Sequence, residues 1–364
     1  MKKKVLIVIV ISMLVFLSNK KEIKANSMKN DISNIAYEFD YPLLESIGEV
    51  VSGGSVEISG KQNHLYKVFS NRETALENLK TQETDALEYI AKKGHFDELT
   101  HSNYMQYYSE LMQIEYEEIK KTMSTNSYNV LLQFFDIYEN DDCNERIIKT
   151  MQNNSLNQSQ KEEVLAYELP YYDNAVVDYF SNHHSIENRS FNVTNANTYA
   201  YANAGNTSSS TYGYVYSSDG NPADCANFAS QILIAGGESM VNTFPNVYSG
   251  WWHVNLVVEH KYSRSWSFAP TFATYHSSSS FATRTYSTFT SKLQGGSFIA
   301  FDKGNDGSYD HIAYVTSVNN FMSGGYYDHN IAQHSPNYYN SASYSMWPSL
   351  EDGVCWFLVI RGGK

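Results

Sequence analysis

Cysteine is scarce: Cys143, Cys225 and Cys355 are the only three in 364 residues. Three thiols are too few for the disulfide framework of an exported chain. A Cys143–Cys355 bridge is weighed here against the commoner fate of a free cysteine, a small buried hydrophobe. The strand-like run VCWFLVI around Cys355 fits burial, Cys143 lies in the polar NDDCNER, and nothing pairs obviously with Cys225. Positive charge is also short, with 26 Lys and Arg against 39 Asp and Glu and a net charge of −13. That excludes the electrostatic footprint of a nucleic-acid binder. It also implies repulsion from anionic polymers unless something local holds them. The zinc-hydrolase spacing H-E-x-x-H is missing around His253, His260 and His276, which disfavours a zinc enzyme. Long apolar runs are confined to Val5–Leu17, broken only by Ser12 and preceded by Lys2, Lys3 and Lys4. That run is short for a bilayer span and reads as the core of a secretory signal, with cleavage expected after Ala25. The chain is therefore expected to be secreted or held at the cell envelope, without stable membrane insertion once residues 1–25 are gone.

Removal of residues 1–25 takes the formal charge to −18, of which −3 falls from Phe191 onward and −15 between Asn26 and Ser190. The two parts also differ in pattern. SNRETALENLKTQETDALEYIAKKG reads as a helix capped by Ser70 or Asn71 and stopped at Gly94, with Leu76, Leu79, Leu87 and Ile90 at helical spacing. NYMQYYSELMQIEYEEIKKTM, NVLLQFFDIYEN and NQSQKEEVLAYELPYY read as further helices, their apolar positions as core. His183 and His184 sit in a polar linker, a poor isolated metal site. From about Ser190 charges thin out and Tyr, Ser, Thr, Asn and Gly take over. NTYAYANA reads as a short helix. SFIAFD, HIAYVTSV, GYYDHNIAQHS and GVCWFLVIRG read as strands. The expected class is α+β, with a helix packed on an antiparallel sheet. The expected organisation is a signal peptide at 1–25, an acidic and mainly helical region at 26–189, and a catalytic domain at 190–364.

The chemistry concentrates at GNPADCANFASQILIAGG. Asp224 is the expected N-cap of a helix that opens with Cys225 and ends at Gly236–Gly237. A cysteine there faces unpaired backbone N–H groups and the positive end of the helix dipole. Both favour thiolate, the attacking species, and the same N–H groups can receive an oxyanion. Asp224 opposes this by its charge, so an imidazolium is needed nearby. His311, opening HIAYVTSV, is the expected base. A third polar group should hold its other ring nitrogen. His334 is the first choice, with Gln333 and Asn330 as alternatives. Strand alternation puts Gln333 and His334 on opposite faces, so only one of them can point at His311.

DCANFASQ resembles the Asp-Cys-Thr-Asn-Phe-x-Ser-Gln motif of the amidase-domain family of secreted and spore-forming bacterial proteins. NTYAYANA, WWHV, SRSWSFAPTFATY, GGSFIAFD, DHIAYVTSV and NIAQHSPN follow the family pattern in order, over about Ser190 to Ile360. Ala226 departs from the motif's Thr, and Ser297 from an Asp that such domains often carry at a turn. The family is similar to the papain-like NlpC/P60 and CHAP cysteine hydrolases. That resemblance implies a papain-like C-terminal domain with Cys225 as nucleophile, His311 as base and His334 near the orienting position.

Asn227, Trp252 and Trp266 are the candidate substrate-binding residues, with second-shell structure and core packing as their competing readings. DKGNDGSYD invites a calcium reading through Asp302, Asp306 and Asp310. It lacks an oxygen ligand at the third loop position and the closing Glu of an EF-hand, so a polar turn is expected, with no metal and no cofactor. The expected activity is that of an exported cysteine amidohydrolase, its partner an amide or peptide substrate such as a cell-wall fragment. The alternatives are a secreted cysteine protease with an N-terminal propeptide and a non-catalytic wall-binding or adhesion protein.

Overall fold

Asn71 accepts a hydrogen bond from the Thr74 N–H at 2.9 Å and so starts the first helix, Arg72–Gln82. The single helix expected up to Gly94 is two, because Glu83 (φ −112°, ψ 31°) leaves helical geometry before Thr84–Gly94 begins. The left-handed residue that ends the second is His95 (φ 57°), one position past Gly94. The computed structural model describes residues 40–114, 116–171, 173, 191–206, 211–216, 223–256, 259–277, 280–350 and 355–361. The expected signal segment and His183–His184 lie outside them.

Two small strand pairs come first, β1 (Val50–Val51) with β4 (Val68–Phe69) and β2 (Ser55–Ile58) with β3 (Lys61–His64). The helices Tyr104–Leu111 and Tyr116–Thr122 precede a 28-residue helix, Thr125–Gln152. The polar NDDCNER continues this long helix, and Cys143 within it is a free thiol, as are Cys225 and Cys355. Helix Gln158–Glu168 starts in a reciprocal capping box between Asn157 and Gln160.

Beyond residue 190, helix Val193–Asn203 and helix Cys225–Ala235 precede the short pair β5 (His253–Asn255) and β6 (His260–Tyr262). The main sheet uses β7 (Phe281–Thr283), β8 (Ser297–Asp302), β9 (His311–Phe321), β10 (Tyr327–Gln333), β11 (Tyr338–Ser341) and β12 (Trp356–Arg361). Their order is β11-β10-β9-β8-β12-β7, and every pairing is antiparallel. The class is α+β, as the strand-like runs imply.

Both faces of the sheet are covered. Phe301, Val315, Ile331 and Phe357 share one core with Leu131, Phe134 and Phe135 of the long helix. Alternation sends their neighbours Ala300, Ile312, Tyr314, Ala332 and Leu358 to the other face. There they pack with Phe228 and Ile232 of the cysteine helix, with Ala196 and Ala200, and with Trp251, Trp266 and Phe272. The residues before 190 therefore supply half of the cover of this sheet. Burial of these aromatic and branched side chains, each worth roughly 1.5–3 kcal/mol, holds the two parts together. Among the described residues no helix is long and apolar enough to cross a membrane.

Candidate active site around Cys225

Cys225 is the first residue of its helix, and Asp224 occupies the N-cap position. Asp224 makes no side-chain capping bond there. Its Oδ1 accepts hydrogen bonds from the Val215 N–H at 2.7 Å and from Asn227 Nδ2 at 2.7 Å. Its Oδ2 lies 2.6 Å from His334 Nδ1. Its own N–H donates to Ser335 Oγ at 2.9 Å. The expected N-cap is thus the anchor of a tertiary network, which leaves the backbone N–H groups at the helix start free of a carboxylate cap.

Those groups meet the sulfur. Cys225 hydrogen-bonds with the backbone of Ile312, Ala226 and Cys225 itself, and each of these bonds favours thiolate. Burial outweighs them. The residue is 8% exposed, and desolvation, with the Asp224 charge adding, pushes the thiol up to about 11. The expected low-pKa thiolate is not the resting form, because solvation lost exceeds the hydrogen bonding gained.

His334 lies just past the end of β10 on the face that carries Cys225. Its ring stacks on Phe228 at 3.8 Å and on Tyr214 at 5.6 Å. Nδ1 meets Asp224, and Nε2 lies 3.0 Å from the Asn203 carbonyl at the end of its helix. Both ring nitrogens thus lie within hydrogen-bonding distance of acceptor oxygens, one on Asp224 and one on the backbone. A small indentation lies beside this pair, with Asn203, Asn206, Gly213, Tyr214 and Gln231 completing the wall.

His311 is placed differently. It opens β9 as expected, but its side chain shares the face of Ala313 and Val315 with the long-helix core. Its ring lies 5.6 Å from Phe301 and 6.4 Å from Trp347. Nε2 is buried without a hydrogen-bond partner, and no hydrogen bond joins the ring to Cys225. Burial pushes the imidazole down to about 4, against a hydrogen bond with Gln333 that raises it. Gln333 also accepts from Trp347 Nε1 at 3.2 Å. The alternation argument holds, with the roles exchanged: Gln333 faces His311, and His334 faces Asp224. The ring nitrogens of His334 meet Asp224 and the Asn203 carbonyl rather than His311. Asn330 bonds Ser317 and Asn319 instead.

The three substrate-binding candidates all lie in the interior. Asn227 is fully buried; it donates to Asp224 and accepts from Trp266 Nε1 at 2.7 Å, so it positions the aspartate and has no free group for substrate. Trp266 is fully buried and stacks on Trp251 at 5.1 Å. Trp252 is fully buried, with Nε1 donating to Ser249 O and Thr243 Oγ1. The wall residues Asn203, Asn206, Gly213 and Tyr214 escaped notice because they sit in a Tyr-, Asn- and Gly-rich stretch without catalytic spacing.

Residues 190–357 match the model of the family described as "Putative amidase domain". The match supports a hydrolase acting on amide bonds. No curated protein and no solved structure matches the chain.

Proposed function

With an amidase domain at residues 190–357 as the premise, we propose that this domain hydrolyses an amide bond by way of a Cys225 thioester, with His334 as the acid and base. The observation that carries the reading is the join of nucleophile and acid–base group through adjacent residues. Asp224 holds His334 at 2.6 Å, and Cys225 follows it at the start of the helix. In this reading His334 carries a hydrogen on each ring nitrogen, and the nucleophile forms when the thiol loses its proton to solvent. The thiolate attacks the amide carbonyl, and the backbone N–H groups at the helix start receive the oxyanion. His334 Nε2 leaves the Asn203 carbonyl and passes its proton to the leaving amine. The neutral ring then takes a proton from the water that opens the thioester, which returns Cys225 as thiolate and His334 as imidazolium. Asp224 keeps the ring's Nδ1–H oriented through both steps.

A helix bearing the cysteine on an antiparallel sheet supports the papain-like, NlpC/P60-type reading of the fold. The signal-like residues 1–25 support action outside the cytoplasm, on cell-wall peptide as the substrate class. Release of residues 26–189 as a propeptide is disfavoured, because it would strip the cover from Phe301, Val315 and Phe357.

The test incubates purified wall fragments with wild type, Cys225→Ala, His334→Ala and His311→Ala, and reads products by mass spectrometry. Wild type should release fragments that have gained water at an amide bond. Cys225→Ala should release none, and His334→Ala should be slower by about 10²-fold or more. Retained cleavage by Cys225→Ala would end the cysteine mechanism. An inactive but folded His311→Ala beside an active His334→Ala would return the base role to His311. Absence of products from wild type would remove the wall substrate.

A further inference from the structure

DKGNDGSYD closes on itself through backbone bonds to its own carboxylates, and it does so out of reach of solvent. Asp302 ends β8 fully buried, Asp306 is 4% exposed, and the Asp310 side chain is 12% exposed. Into this loop comes a fourth carboxylate from the other part of the chain. Asp136, on helix Thr125–Gln152, is 4% exposed, and atoms of Asp136, Asp302 and Asp310 lie within 4.8 Å of one another.

The Asp136 carboxylate is half used. Oδ1 accepts from Tyr108 Oη at 2.8 Å, and Oδ2 has no hydrogen-bond partner. A buried acceptor left open in this way needs an explanation. Oδ2 is held where the loop backbone leaves room only for hydrogen, since a Cβ added to Gly304 would come within 1.8 Å of it. Opposite charge is short. Lys303, itself buried, has its Nζ 3.3 Å from Asp310 Oδ1 and 4.0 Å above the Tyr108 ring. That one ammonium contacts Asp310. Backbone N–H groups serve the loop carboxylates: Asp306 and Gly307 donate to Asp302, Ser308 to Asp306, and Lys303 to Asp310. None of these donors reaches Asp136 Oδ2.

We propose that Asp136, Asp302 and Asp310 form a calcium site that ties the long helix to the β8–β9 loop. The donors are all oxygen, which selects a hard cation over zinc or copper. Their origin on a helix and an irregular loop suits calcium, which takes six to eight oxygens in adaptable geometry, better than magnesium with its demand for near-ideal octahedra. The ligand missing from the loop's own sequence pattern is supplied from 166 residues earlier, by Asp136. The ion supplies the positive charge that Lys303 alone does not, and it fixes the loop that leads into β9. This inference is independent of the proposed reaction.

The test strips the full chain with chelator and dialyses it to equilibrium against labelled calcium. About one calcium should be retained per chain, and the melting temperature should rise with calcium concentration. Asp136→Asn should lose at least tenfold in affinity while still folding. Gly304→Ala, whose methyl displaces Oδ2, should weaken binding through a change that removes none of the three carboxylates. Three results would overturn the site: no retained calcium in wild type, unaltered calcium binding in both variants, or retention of magnesium in place of calcium. A melting temperature that rises in Asp136→Asn and ignores calcium in both proteins would mean that protons, not a cation, settle the cluster.

Discussion

Alkylation of Cys225 with iodoacetamide should be slow at neutral pH and should speed up about tenfold for each pH unit up to 10. The thiolate is the reacting species, and burial together with Asp224 holds the thiol at about 11 against an ordinary value of 9.0. Two units cost about 100-fold in thiolate at pH 7.5 relative to an ordinary thiol. Restricted access slows the reaction further, since the residue is 8% exposed. The assay follows the modified Cys225 peptide by mass spectrometry, with Cys143→Ser to remove the competing half-buried thiol. A short free-cysteine peptide in the same tube sets the scale. A rate plateau below pH 8 would show an ionised resting sulfur and refute the argument that desolvation outweighs the three backbone hydrogen bonds. The backbone bonds and the unfavourable burial act on the same atom, so the pH at which the rate levels off measures which of them wins.

Three further outcomes follow from the same geometry. Asp224→Asn removes a charge that raises the thiol, so Cys225 should alkylate faster at fixed pH; an unchanged or slower rate counts against the electrostatic role of Asp224. Asn227→Ala leaves Trp266 Nε1 and Asp224 Oδ1 each short of a buried partner, and should cost about 2–3 kcal/mol in urea unfolding; a loss under 0.5 kcal/mol would show that the network relaxes. His329 is fully buried, and burial pushes its imidazole down to about 4 from 6.5. The unfolded chain then binds the proton first, so the stabilisation is complete above about pH 6.5 and is lost as the pH falls toward 4, by about 3 kcal/mol in all. His329→Gln should therefore lose less stability than wild type between pH 7 and pH 4, and equal losses would exclude His329 as a source of acid sensitivity.

Local pattern was enough for much of the architecture. Alternation and β-branched residues mark β8, β9, β10 and β12, because a strand buried on a sheet carries its environment in its own residues. Asp224 and the apolar residues after Cys225 mark the helix start for the same reason. Helix ends were less legible. Glu83 breaks a pattern that reads as continuous, and NDDCNER continues a helix where its polarity suggests a loop, since tertiary contacts override weak propensities.

Residue pattern alone shows that a cysteine opens a helix, that histidines stand at the start of one strand and just past the end of the next, and that Gln333 and His334 point opposite ways. Which side of the sheet the cysteine helix covers emerges from the packing, and with it the meeting of His334 with Asp224, 110 residues away, while His311 turns to the core of the long helix. Packing alone brought Asp136 to Asp302 and Asp310. The physical reason is that alternation fixes relative facing along a strand, whereas the choice of face depends on which apolar surfaces pack across it, and those come from distant parts of the chain.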